Sequence, residues 1–165
     1  MGSAGLAARR VKGRVRRMSK LTNVHHLALT VTDVDRSVPW YERVLELEEV
    51  SRREDPETGM CKVVLRAPGD GFAVVLVQHP DVVRPGAAND TGARWADFDE
   101  RRTGLDHVAF KVASRDELRH WEERLACYGV TYSPSKESRT MPGSEVVVFR
   151  DPDGIQLEVW ADPDS

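Results

Sequence analysis

Cysteine is scarce. Cys61 and Cys127 are the only two and form no C-x-x-C pair, so neither a disulfide framework nor a thiolate zinc site is indicated. No apolar run is long enough to span a bilayer or to form the core of a secretion signal. These absences predict a reduced, cytoplasmic protein without a membrane partner. Acidic residues are missing from residues 1–20, which carry seven basic ones: Arg9, Arg10, Lys12, Arg14, Arg16, Arg17 and Lys20. The remainder is the reverse, because residues 21–165 hold 17 Lys+Arg against 27 Asp+Glu, a net of −10. Such a body repels polyanions and excludes nucleic acid as its partner. Residues 1–20 read as a disordered basic tail. The chain has 165 residues, 40% of them apolar, enough for a buried core in one domain or two small modules.

What the chain does have is an internal repeat. Displaced by 81 positions, "HLALTVTDVDRSVPWYERV" from His26 falls without gaps on "HVAFKVASRDELRHWEERL" from His107, with seven of 19 positions identical. At a displacement of 83, "KVVLRAPGDGFAVVLVQHPD" overlays "EVVVFRDPDGIQLEVWADPD". Each copy opens with a strand whose alternate residues are apolar: Leu27, Leu29 and Val31, then Val108, Phe110 and Val112. A helix follows. The second copy enters it through "SRDE", a capping box of Ser114 and Glu117, and leaves it at Gly129. Pro39 is expected near the first turn of the first helix, where a missing donor costs little. Two β-branched runs then flank the turns "APGDG" and "RDPDG", with Gly71 and Gly154 expected at positive φ. The predicted fold is α+β, with two tandem βαβββ modules at residues 21–81 and 105–163 joined by a linker at 82–104. Trp40 and Trp121, equivalent in the repeat, are expected to anchor the module cores.

Strand parity assigns the histidines. Successive strand residues point to opposite faces, so His25 belongs with Leu27, Leu29 and Val31 on the helix-packed face. His26 belongs with Ala28 and Thr30 on the other. His107 lies with Ala109 and Lys111, opposite Val108 and Phe110, and Glu158 lies with Gln156 and Trp160, opposite Leu157 and Val159. His26, His107 and Glu158 therefore occupy the face no helix covers. Two imidazoles and one carboxylate form the facial set that holds a divalent metal and leaves positions open for substrate or water. Glu158 corresponds in the first copy to Val75, which ligates nothing, so three protein ligands are expected. His25 is a structural or supporting residue on this reading.

The stretches "HHLALTVTDVDRSVPWYERVLELE", "GLDHVAFKV" and "FRDPDGIQLEVW" resemble the vicinal oxygen chelate superfamily, which includes glyoxalases, bleomycin-resistance proteins and extradiol dioxygenases. The resemblance runs over most of residues 21–163. It implies paired βαβββ modules whose curved mixed sheets form a metal-binding cleft, usually in a homodimer, and a small-molecule substrate chelated through two neighbouring oxygens. It carries the metal ligands over to His26, His107 and Glu158, and leaves the ion open among Fe, Zn, Ni, Co and Mn. Glu158, Gln156 and Lys111 are the expected catalytic groups, and Glu145, Tyr132 and Arg139 are further polar candidates in the cleft. The chain departs from individual members. Val75 stands where glyoxalase I has a fourth ligand, and Val148 stands where extradiol dioxygenases carry tyrosine. Two readings follow: a metal-dependent lyase, isomerase or small dioxygenase, or a metal-free drug-binding protein whose cleft Trp95, Phe98 and Trp160 would line.

Overall fold

The computed structural model describes residues 23–69, 71–82 and 98–163. The basic tail, Trp95 and most of the linker lie outside them. Ten elements follow in order: β1 (Leu27–Thr30), α1 (Val34–Leu45), β2 (Glu48–Glu54), β3 (Cys61–Arg66), β4 (Ala73–Gln78), β5 (Val108–Val112), α2 (Arg115–Cys127), β6 (Lys136–Glu137), β7 (Glu145–Arg150) and β8 (Gln156–Ala161). They build two four-stranded mixed sheets, ordered β1-β4-β3-β2 and β5-β8-β7-β6. In each, the first strand runs parallel to the last while the remaining pairs are antiparallel. This is the predicted α+β architecture of repeated βαβββ units.

Local chemistry explains the helices. Asp33 caps α1, its Oδ1 accepting from the N–H groups of Asp35 and Arg36 at 3.0 and 3.1 Å, which satisfies two donors that the first turn leaves free. Ser114 caps α2 by accepting from Glu117 N at 3.2 Å, half of the expected capping box. Beyond α2, Gly129 takes φ 67°, its N–H bonds Ala126 O at 3.0 Å, and Val130 N–H reaches back to Leu125 O at 2.9 Å. That pair of bonds is the Schellman closure only a left-handed residue permits readily. Pro39 departs from expectation. Because α1 begins at Val34, Pro39 falls in the second turn, where its missing N–H leaves the Asp35 carbonyl without a helical partner; both residues are exposed, so the carbonyl is open to solvent.

The hairpins correct the repeat. Val64 opposes Val75 in the first sheet, and Val148 opposes Glu158 in the second. The last strands are thus related by 83 positions and the third strands by 84, so the β3–β4 loop is one residue longer than the β7–β8 loop. An ungapped overlay hides this because both runs are rich in valine. The longer loop also moves the special glycine: Gly69, not Gly71, adopts positive φ, at 77°. Gly71 is needed for space, since a Cβ there would lie 2.6 Å from the Ala67 Cβ.

The apolar residues of both units form one cluster, with Val31, Tyr41, Val63, Leu76, Leu118, Leu157 and Val159 fully covered. Trp40 and Trp121 pack against it half-buried, and Trp40 lies 6.3 Å from Phe149 of the other unit, centroid to centroid. Polar groups fix the junction. Arg124 of α2 donates to the last α1 carbonyls, Nε to Val44 O at 2.7 Å and Nη2 to Arg43 O at 2.6 Å, and pairs with Glu46. It therefore acts as a helix C-cap supplied by the other unit. At the opposite end the turn after β7 docks on α1. The Tyr41 hydroxyl donates to Asp151 at 2.9 Å, Thr32 donates to Asp153 through its N–H and hydroxyl, and Arg36 pairs with Asp153.

The outer strand β2 is exposed almost throughout (Glu-Glu-Val-Ser-Arg-Arg-Glu). Its pairing with β3 shifts register between Glu49 and Ser51, and Arg52 bridges Glu49 and Asp35.

Asp151 gives the junction a pH dependence. Burial pushes its carboxyl up from 3.8 to about 6, although it accepts N–H bonds from Asp153 and Ile155 and the Tyr41 hydroxyl. An acid whose folded pKa is raised stabilises the fold below about 4 and loses that contribution as pH rises through about 6, at a cost on the order of 3 kcal/mol by pH 7. Asp151→Asn keeps an acceptor for both N–H groups and removes the charge. The variant is expected to unfold in urea with roughly 1–3 kcal/mol more stability than wild type at pH 7.5, an advantage that shrinks as pH falls and vanishes near pH 3; an advantage independent of pH, or a deficit at pH 7.5, would refute this account.

Candidate functional site

The second sheet presents its uncovered face as an open cleft of about 1100 Å³. Parity builds it. Leu157 and Val159 of β8 are fully buried towards α2, so Gln156, Glu158 and Trp160 turn into the cleft. On β5, the buried Val108 leaves His107 and Ala109 on the cleft side. Parallel pairing sets Ala109 opposite Glu158, which brings the preceding cleft-side residue, His107, to Glu158. The His107 Nε2 lies 3.6 Å from Glu158 Oε2.

The surroundings hold both groups. His107 Nδ1 is 2.6 Å from the Asp106 carboxylate, a bond that places the proton on Nδ1 and leaves the Nε2 lone pair facing Glu158. Gln156 Nε2 donates to Glu158 Oε1 at 3.3 Å, and Glu158 is only 8% exposed. Two neighbouring donors bound to one ion at about 2.1 Å stand about 3.0 Å apart in the facial geometry and about 3.4 Å apart in a tetrahedral one, slightly closer than the pair stands here. The His107–Glu158 separation and the carboxylate behind the imidazole suit a divalent cation.

The other expected residues are placed differently. His26 is exposed and sits against His25, Nδ1 to Nδ1 at 2.8 Å with the rings edge to face. Among the described residues no group of three His, Cys, Asp or Glu side chains gathers around one point, so within one chain His107 and Glu158 meet without His26. Lys111 pairs with Asp162 and is not among the residues lining the cleft. Glu145 is turned to Ser135 and Arg115, at 2.9 and 3.2 Å, whereas Tyr132, Arg139 and Trp160 line the cleft. Phe98 packs on the core. Parity reasoning missed Asp106, although "Asp-His" directly before a strand was a visible signal for a carboxylate-oriented imidazole, and it missed Lys136 and Ser133.

A family model for the Glyoxalase/Bleomycin resistance protein/Dioxygenase superfamily matches residues 23–159. The chain belongs to this superfamily. A glyoxylase/bleomycin resistance protein/dioxygenase domain from Frankia sp. EAN1pec is 34% identical, with a TM-score of 0.71 over 87% of this chain and 99% of that one. The uncharacterized protein YwkD of Bacillus subtilis is 26% identical over 144 residues, covering 85% of this chain and 97% of YwkD. FosX, a genomically encoded fosfomycin resistance protein from Listeria monocytogenes solved with Mn(II) and sulfate, shares the fold at 16% identity and a TM-score of 0.58, over 86% and 93% of the two chains. Superfamily membership accounts for the paired βαβββ units.

The Asp106 contact makes a direct prediction. At pH 8.5, nitrogen-detected NMR of the chelator-treated, metal-free wild type should show His107 with its proton on Nδ1. Asp106→Asn should move a large share of the population to the Nε2–H tautomer, and an unchanged spectrum would show that the carboxylate does not orient the ring.

Proposed function

We propose that this superfamily member is a metal-dependent enzyme acting on a small oxygen-bearing substrate in the β5–β8 cleft. The observation that carries the reading is the His107–Glu158 pair, 3.6 Å apart and backed by Asp106 and Gln156. A bound divalent ion would supply Lewis acidity and a template for two neighbouring substrate oxygens. The protein's own part is to hold that arrangement. Asp106 fixes the His107 tautomer, the Gln156 amide steadies one Glu158 oxygen while the other faces His107, and Val146, Val148 and Trp160 form an apolar wall beside the pair. The absence of a ligand at Val75 leaves positions for substrate, which suits lyase, isomerase or dioxygenase chemistry.

The third ligand on this reading is His26 of a second copy in a homodimer. The uncovered faces of both sheets are open in one chain, with Ala28 and Thr30 exposed on the first. When His26 donates from Nδ1 to His25, its Nε2 carries a free lone pair directed away from that contact. A swapped pairing of units then joins one imidazole to the other copy's imidazole and carboxylate.

The alternative is a metal-free binding protein that sequesters a drug in the same cleft, favoured by the meeting of only two ligands in one chain. Metal analysis of protein purified without chelator separates them. About one divalent ion per chain, falling at least tenfold in His107→Ala and Glu158→Ala, is expected for the enzyme; a metal-free wild type selects the binder. Co-refolding His26→Ala with Glu158→Ala should restore one intact site per mixed dimer. If neither variant alone nor the mixture binds metal while the wild type does, the shared site is wrong.

A further inference from the structure

The far end of the cleft carries charge that the His107–Glu158 pair does not explain. Cross-strand register orders its floor in rows. Glu158 stands opposite Val148, and one row further along Trp160 stands opposite Val146, which stands opposite Lys136 of β6. Arg139 follows β6 and lines the same end, with Ser138 and Thr140 beside it. Among the described residues neither Lys136 nor Arg139 has a carboxylate partner. The remaining charged groups of the cleft are committed elsewhere. Arg150 pairs with Glu100 and donates to Gly154 O, Glu137 accepts from Gly143 N–H, and Glu158 faces His107. Between the two ends lie Val146, Val148 and the Trp160 indole, the latter tied by its N–H to Asp162 at 3.1 Å.

Unpaired cations over an apolar floor are complementary to an organic anion. The register also sets its length. Lys136 is two strands across and two residues along from Glu158, which at about 4.8 Å per strand and 3.3 Å per residue separates their backbones by about 12 Å. The side chains of both lean into the cleft, so an anion on Lys136 sits roughly 8–10 Å from a group beside Glu158.

We propose that the substrate is a two-ended organic anion: a chelating pair of oxygens at His107–Glu158, an apolar stem of about five or six atoms across Val148, Val146 and Trp160, and a terminal oxyanion, carboxylate or phosphate, on Lys136 and Arg139. The head-group assignment rests on the reading proposed above; the oxyanion end does not. Lys136 and Arg139 are thus length- and charge-selecting residues.

Calorimetric titration of the purified protein tests this with 2-oxosuberate, the phosphonate-ended acid of equal length, the neutral-ended 2-oxooctanoate and the short 2-oxoglutarate, with and without chelator. The expected result is at least tenfold tighter binding of an oxyanion-ended long acid than of 2-oxooctanoate, with no such gain for 2-oxoglutarate. The tighter of carboxylate and phosphonate names the terminus. In Lys136→Met/Arg139→Met the preference should fall to about twofold or less, while metal content and melting temperature stay at wild-type values. Equal affinity for charged and neutral ends in the wild type, or a preference that survives the double substitution, would overturn the proposal. A preference that persists in chelator, in a protein that binds no metal at all, would refute the metal reading and leave the oxyanion end standing.

Discussion

A strand that lays one face on a helix must send every second side chain to the other. In β5 and β8 that constraint operates on two adjacent parallel strands at once. With Val108, Leu157 and Val159 committed to the α2 side, His107 and Glu158 have no place but the open face, and the pairing of Ala109 with Glu158 brings them together. A slip of one residue between sequence and sheet would drive the carboxylate under the helix and expose leucine and valine instead. The hydrophobic pattern that folds the unit therefore also delivers the chemistry.

The two halves share this frame but furnish it unequally. The second pairs its imidazole with a carboxylate neighbour, Asp106, and the first with another imidazole, His25. The second keeps Glu158 where the first has Val75. The turn that leads into Glu158 also docks on α1 through Asp151 and Asp153, so site and inter-unit contact share one short segment. Two carboxyl groups buried side by side there are costly. Arg36, Thr32, Tyr41 and the turn's own N–H groups offset much of that cost.

The period-two pattern made the architecture and the environment of each strand residue legible in advance, because burial of one face is a local constraint written every second residue. The duplication was legible for the same reason. What escaped were quantities set by tertiary geometry. The extra residue between β3 and β4 is invisible in valine runs that overlay equally well in either register, and it alone decides that Gly69 rather than Gly71 carries the positive φ. Pro39, expected near the first turn, falls in the second because the helix is already capped at Asp33. "RDPDG" read as a turn and nothing more, since nothing local reveals that its aspartates are buried against a helix more than a hundred residues earlier. Where His26 stands relative to His107 depends on how whole units pack, and alternation carries no information about that.

The outer strand β2 has a consequence for the protein's life in a crowded cell. Its free backbone groups are a template for another extended segment, yet five of its seven side chains are charged, the ladder is broken between Glu49 and Ser51, and Arg52 ties the rim to Asp35. The opposite rim of the other sheet, β6, is two residues long. An approaching β-segment meets repulsion and a kink at β2 and almost no ladder at β6, so growth into ribbons from these two rims is disfavoured.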